Sequence, residues 1–193
     1  MRQLSFFSVD ARPPVVADLA GMLCGPGQTV RFGGGGSARL SVVVAEPWRA
    51  AAVAGECALR GVLAELATSD EGLPLVRTAF RADLAELAAA WTRGAVKAVP
   101  AGFVPDGGTL RLWAQVAGRR DGRGYLLGLD PRAPDTHEPL AAALARAGLT
   151  PVLLGPRGGG PAARITGRRR MARLAELVGN APPIAPADVW PPD

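Results

Sequence analysis

Apolar residues recur at helical spacing over residues 15–23, and Gly25-Pro26-Gly27 stops the run, because proline cannot continue a helix interior. Two apolar runs, 29–32 and 39–45, flank the glycines at 33–36, which is the pattern of a β-hairpin. Pro47 stands at a first helical position, and the helix expected over 48–63 carries Ala51, Cys57 and Leu59. A second strand pair, 63–67 and 75–80, is split by Thr68-Ser69-Asp70-Glu71-Gly72. A helix over 82–91 then sets Leu84, Leu87 and Trp91 on one stripe.

After a connector rich in glycine and proline the same order returns. A helix over 110–118 is followed by a strand over 125–129. Asp135 and Glu138 have the spacing of a capping box, and Gly148 ends the helix they open. Runs 152–154 and 162–166 make a hairpin across 156–161. The last helix, 168–178, buries Met171, Leu174 and Val178. The proline-rich end either hangs free or packs as an irregular strap. The pattern therefore predicts an α+β fold with antiparallel sheets, built from two degenerate αββαββα repeats related by a pseudo-twofold axis. The expected divisions are an arm at 1–13, a first repeat at 14–94, a connector at 95–108, a second repeat at 109–180 and a tail at 181–193. The second copy is expected to lack one strand, or to keep a very short one at 119–123.

Within the first helix, Leu19-Ala20-Gly21-Met22-Leu23-Cys24-Gly25-Pro26-Gly27 resembles the LAGLIDADG motif of homing endonucleases. The span 15–179 is similar to the N-terminal region of WhiA-type bacterial regulators, which carry a two-repeat LAGLIDADG-like domain without nuclease activity. The resemblance implies that two motif helices meet through small residues, here Ala20 and Gly21. It also implies that an acid at the penultimate motif position would hold a catalytic metal. That position is Pro26 here, and the preceding acid position is Cys24. The second motif is expected around 113–122, with Ala117 and Gly118 as its small pair and Asp121 as its one acid, beside Arg119 and Arg120. One carboxylate facing two arginines is a poor site for a hard cation, so no catalytic residue, metal or cofactor is expected. WhiA-type regulators continue into a helix-turn-helix domain; none is expected in this chain.

Composition changes this picture only a little. In 193 residues, 48% hydrophobic, the formal charge is +5 and Lys97 is the only lysine. Such an arginine bias permits nucleic-acid binding without requiring it. Cys24 and Cys57 lie in apolar helical stretches and read as buried thiols in a reducing compartment. No run reaches the length of a transmembrane helix and no leader-like start is present, so a bacterial cytoplasmic location without a membrane partner is expected. The glycine clusters at 33–36 and 155–160 lack the Lys-Ser/Thr of a phosphate loop. His137, beside Glu138, reads as a solvated or capping residue.

The resemblance places the sheets on DNA, which selects the arginines on or beside the hairpins: Arg31, Arg39, Arg157 and Arg164, with Arg119, Arg120 and Arg123 near the centre. Arg168, Arg169 and Arg170 open the last helix, either as a phosphate contact or as a solvated helix start. Gln3-Leu4-Ser5-Phe6-Phe7 resembles the short peptide by which bacterial replication and repair factors hold the sliding clamp; the alternative is that Phe6 and Phe7 pack on this chain's own core. The expected function is a non-enzymatic DNA-binding protein, regulatory or accessory to replication and repair. The alternative is a protein-interaction module that has lost DNA binding.

Overall fold

A computed structural model describes residues 8–192. A 3-10 turn, Val16–Leu19, runs into α1 (Ala20–Cys24), followed by β1 (Gln28–Phe32), β2 (Ser37–Val43), α2 (Pro47–Leu59), β3 (Ala64–Thr68), β4 (Pro74–Thr78) and α3 (Ala85–Ala90). A small hairpin, β5 (Thr92–Arg93) and β6 (Val96–Lys97), crosses to α4 (Gly107–Ala117). Then come β7 (Gly118–Asp121), β8 (Gly124–Gly128), α5 (His137–Arg146), β9 (Val152–Leu154), β10 (Ala162–Ile165) and α6 (Arg168–Val178). Each half thus runs αββαββα. The two four-stranded antiparallel sheets have the same order, β1-β2-β4-β3 and β7-β8-β10-β9. This is the expected duplicated α+β fold.

Of the two alternatives for the second copy, the short strand is found: β7 pairs with β8 through Arg119–Leu126 and Arg120–Tyr125, so the second sheet has four strands. Three local expectations are corrected. The boundary between the first repeat and the connector is a hairpin, β5 at the end of the repeat and β6 in the connector, which the glycines had hidden. Helix α4 begins at Gly107, before the expected 110; Asp106 Oδ1 accepts from the Thr109 amide at 3.0 Å and caps it. Asp135 and Glu138 form no capping box: α5 starts after a 3-10 turn at 134–136, where the Thr136 hydroxyl donates to the Ala133 carbonyl.

Helices α1 and α4 cross at the centre of one continuous core. A Cβ on Gly21 would lie 2.6 Å from Leu112 Cβ and 2.9 Å from the Trp113 amide nitrogen, so glycine sets the helix spacing. Gly108 does the same on α4, where a Cβ would press on the Asp18 carboxylate. Around this crossing runs a buried ionic chain. Arg60 donates to Asp18 at 2.8 Å and to Glu56 at 2.6 Å, Arg111 donates to Glu56 at 2.6 Å, and Gln115 donates to Glu56 at 3.0 Å.

Of the alternatives for the tail, the strap is found. Trp190 is buried in the core, donates its indole N–H to Gly179 O at 2.8 Å, and lies under Arg111. No helix among the described residues is long and apolar enough to cross a membrane.

Candidate nucleic-acid interface

Strand alternation divides each sheet into a core face and an open face. In the first sheet Ala38, Leu40, Val42 and Val76 enter the core. Directly paired residues share a face, so Val30 with Arg39, Phe32 with Ser37, and Ser41 with Arg77 lie on the open side. In the second sheet Tyr125, Leu127, Ala163 and Ile165 enter the core. The row Arg119–Leu126–Arg164–Val152 lies on the open side.

The expected arginines divide accordingly. Arg39, Arg119 and Arg164 are on open faces. Arg39 stacks 4.9 Å over the Phe80 ring, Arg119 donates to the Gly159 carbonyl, and Arg164 Nε lies 2.7 Å from Asp121 Oδ2. Arg31 pairs with Ala38 and Arg120 with Tyr125, so both belong to the helix-covered side. Arg120 donates to Trp190 O at 2.6 Å, which ties it to the strap. Arg157 is exposed in the β9–β10 turn. Arg123, in the β7–β8 turn, joins Arg164 and Arg168 around one cavity. Arg169 and Arg170 line another with Arg173, and Arg170 is tied to Thr166 O at 2.7 Å. Arg77 shares the open face of the first sheet, beside Glu65 at 3.3 Å, and was missed in the sequence because an alternating run does not say which side is covered. The clamp-like Gln3, Leu4, Ser5, Phe6 and Phe7 lie outside the described residues.

The open faces are not uniformly cationic. Phe32 is 67% exposed, Val30 45% and Phe80 41%, and the Phe32 and Phe80 rings meet at 5.4 Å between centroids.

The helix crossing fixes the register of the second motif. Gly21 packs on Leu112 and Gly25 on Val116, which makes Ala117 the counterpart of Pro26 and Gln115 that of Cys24. The expected placement around 113–122 was therefore too late: Arg119, Arg120 and Asp121 are on β7, and neither penultimate position holds an acid.

Instead, a buried cation reaches the end of each motif helix. Lys97 Nζ donates to Gly25 O at 2.6 Å and Gly27 O at 2.8 Å, and contacts Asp130 Oδ2 at 3.0 Å. Gln28 Nε2 donates to the same carboxylate at 2.6 Å. Arg49, from α2, donates to Ala114 O at 3.2 Å, Gln115 O at 2.8 Å and Gly118 O at 2.7 Å. Ala114 O also accepts from the Gly118 amide, whereas the other carbonyls lie at or just beyond the helix ends, and a cation at a helix C-terminus is favourable. Burial pulls the Lys97 ammonium below the usual lysine value, partly offset by Asp130. Burial also pushes the thiol of neighbouring Cys24 well up. Among the described residues no group of three or more His, Cys, Asp or Glu is placed to hold a metal. His137 Nε2 lies 2.8 Å from the Asp130 carbonyl, at the start of α5.

No family model and no curated protein matches the chain. Among solved structures its fold is similar to that of the homing endonuclease I-WcaI bound to its DNA recognition sequence. The TM-score is 0.60 at 12% identity, over 92% of this chain and 83% of that one. At that identity the likeness is one of fold.

Proposed function

We propose that this chain is a non-enzymatic DNA-binding protein that keeps the LAGLIDADG-like fold and lays the open faces of its two sheets on the duplex. The observation that carries the reading is the pair of motif-helix ends. Where the resemblance would put an acid and its metal, the chain has Pro26 and Ala117, with Lys97 and Arg49 bonded to the surrounding carbonyls. An ammonium already held by three oxygens opposes a second cation at the same place. The likeness to a fold found bound to DNA supports a duplex partner, the LAGLIDADG-like resemblance suggests the sheets as the docking surface, and Arg39, Arg77, Arg119 and Arg164 on the open faces would supply phosphate contacts. Within this reading the WhiA-like resemblance suggests a regulatory role in the bacterial cytoplasm. The clamp-like Gln3–Phe7 peptide suggests a tether at replication or repair sites, which pull-down with the clamp tests directly.

Duplex affinity measured by fluorescence anisotropy across salt tests the proposal. Several phosphate contacts give a steep fall of log Kobs with log salt, by about 0.9 per phosphate. The triple variant R39A/R119A/R164A is expected to flatten that slope by roughly 3, on the same counting. The variant R31A, exposed but on the opposite face of the first sheet, is expected to leave it unchanged. Affinity indifferent to salt overturns DNA binding, and specific nicking of plasmid in Mg²⁺ overturns the non-enzymatic part.

A second reading, a protein-interaction module, is favoured by the exposed Val30, Phe32 and Phe80. It gains if the wild-type protein shows no salt-dependent duplex binding while F32A abolishes capture of a protein partner.

A further inference from the structure

We propose that the cavity where β10 passes into α6 is a discrete phosphate-binding site. The proposal deepens the DNA-binding reading and rests on it for the source of the phosphate, but the site is defined by its own geometry. The cavity, about 630 Å³, is bordered by Arg123 from the β7–β8 turn, Arg164 from β10, Thr166 just before the α6 N-cap and Arg168 at the start of α6, with Met171, Ala172 and Pro192 as its apolar wall. Three arginines from three separate segments thus line one concavity. Arg164 is partly neutralised by Asp121. Arg123 and Arg168 make no hydrogen bond or ion pair among the described residues, and both are exposed.

The same end of α6 offers amide donors. Its N-cap is Gly167, at φ +93°, so no side chain caps the helix. The Met171 amide donates to Gly167 O at 3.0 Å, which leaves the amides of Arg168, Arg169 and Arg170 without a helical acceptor. The first turn has no acidic residue and three arginines. Cations at the positive pole of a helix dipole raise the energy of the free protein, and an anion held there removes that penalty. Planar guanidinium forks and backbone amides together match the tetrahedral oxygens of a phosphate. The phosphate is either an internal diester of the DNA backbone or a terminal monoester, since both present the same oxygens.

The test uses the full chain labelled with ¹⁵N. Inorganic phosphate is expected to shift the amide resonances of residues 167–170 and Gly124 in a saturable way that chloride at matched ionic strength does not reproduce. The variant R123A/R168A, and the milder R123Q/R168Q, are expected to lose this saturation while the remaining spectrum stays folded. In duplex binding the same variants are expected to flatten the salt slope by about one, because one phosphate is no longer neutralised. The exposed R93A in the β5–β6 hairpin is expected to change neither readout. Duplexes with 5′-phosphate or 5′-hydroxyl ends separate the sources: loss of affinity on removing the terminal phosphate identifies the monoester, and equal affinity with a slope change identifies the diester. Unsaturable shifts spread over all arginines, or identical shifts in the variants, overturn the site even if duplex binding persists. Saturable phosphate binding in a protein that ignores duplex DNA keeps the site and sinks the DNA reading.

Discussion

A methyl group at Gly21 has nowhere to go, because the α4 backbone lies against α1 at that point. Gly21→Ala gains helix propensity but forces the two central helices apart. Overpacking of this kind costs about 2 kcal/mol, and urea denaturation is expected to show the loss. Surface glycines such as Gly55, with open space around them, are expected to accept alanine without loss. The thiols give a second residue-scale expectation. Burial pushes Cys57 up to about 11 and Cys24 further still, so neither is expected to react with a thiol reagent at pH 8 unless the chain unfolds. Rapid labelling of the folded protein would contradict that burial. Both cysteines were legible as buried thiols from their apolar helical surroundings. Lys97 was legible only as the chain's single lysine, since its partners are the carbonyls of residues 25 and 27 and a carboxylate from the other half.

At the scale of elements, periodicity located nearly every helix and strand, because each buries one face in the core. It failed where glycine obscured the pattern. Gly107 and Gly108 read as loop, yet they form the first turn of α4, where at Gly108 only glycine permits the approach to Asp18. The ionic chain between these helices sets a pH dependence. Burial alone would raise the Glu56 carboxyl, but hydrogen bonds from Arg111, Arg60 and Gln115 outweigh it and hold it below the usual value. Asp106 is likewise lowered on balance, by the Thr109 amide and Arg12 against its burial. A depressed folded value stabilises the protein above the ordinary carboxylate range, and that stability is lost as pH falls through the folded value. Thermal stability is therefore expected to drop below about pH 4. Glu56→Gln should flatten that acid limb and cost stability at neutral pH, because it leaves Arg60 and Arg111 short of charge. An unchanged acid limb in the variant would show that the chain does not act as described.

For the whole molecule, the strap joins the end of the chain to both halves of the second repeat through Trp190, Gly179, Arg111 and Arg120. Trp190→Ala is expected to cost about 3 kcal/mol and to lower Tm by on the order of 10 °C in calorimetry. The sequence by itself determined the duplicated order of elements and the absence of an acid at Pro26, since both depend on local composition and spacing. Only the tertiary structure decided which arginines face outward together. A one-residue step along a strand turns a side chain to the other face, so Arg119 lies on the open side and Arg120 on the side where it bonds the strap. The second motif's register also waited for the helix crossing. Its residues acquire their positions from what Gly21 and Gly25 touch, and contacts between distant segments leave no local periodicity to read.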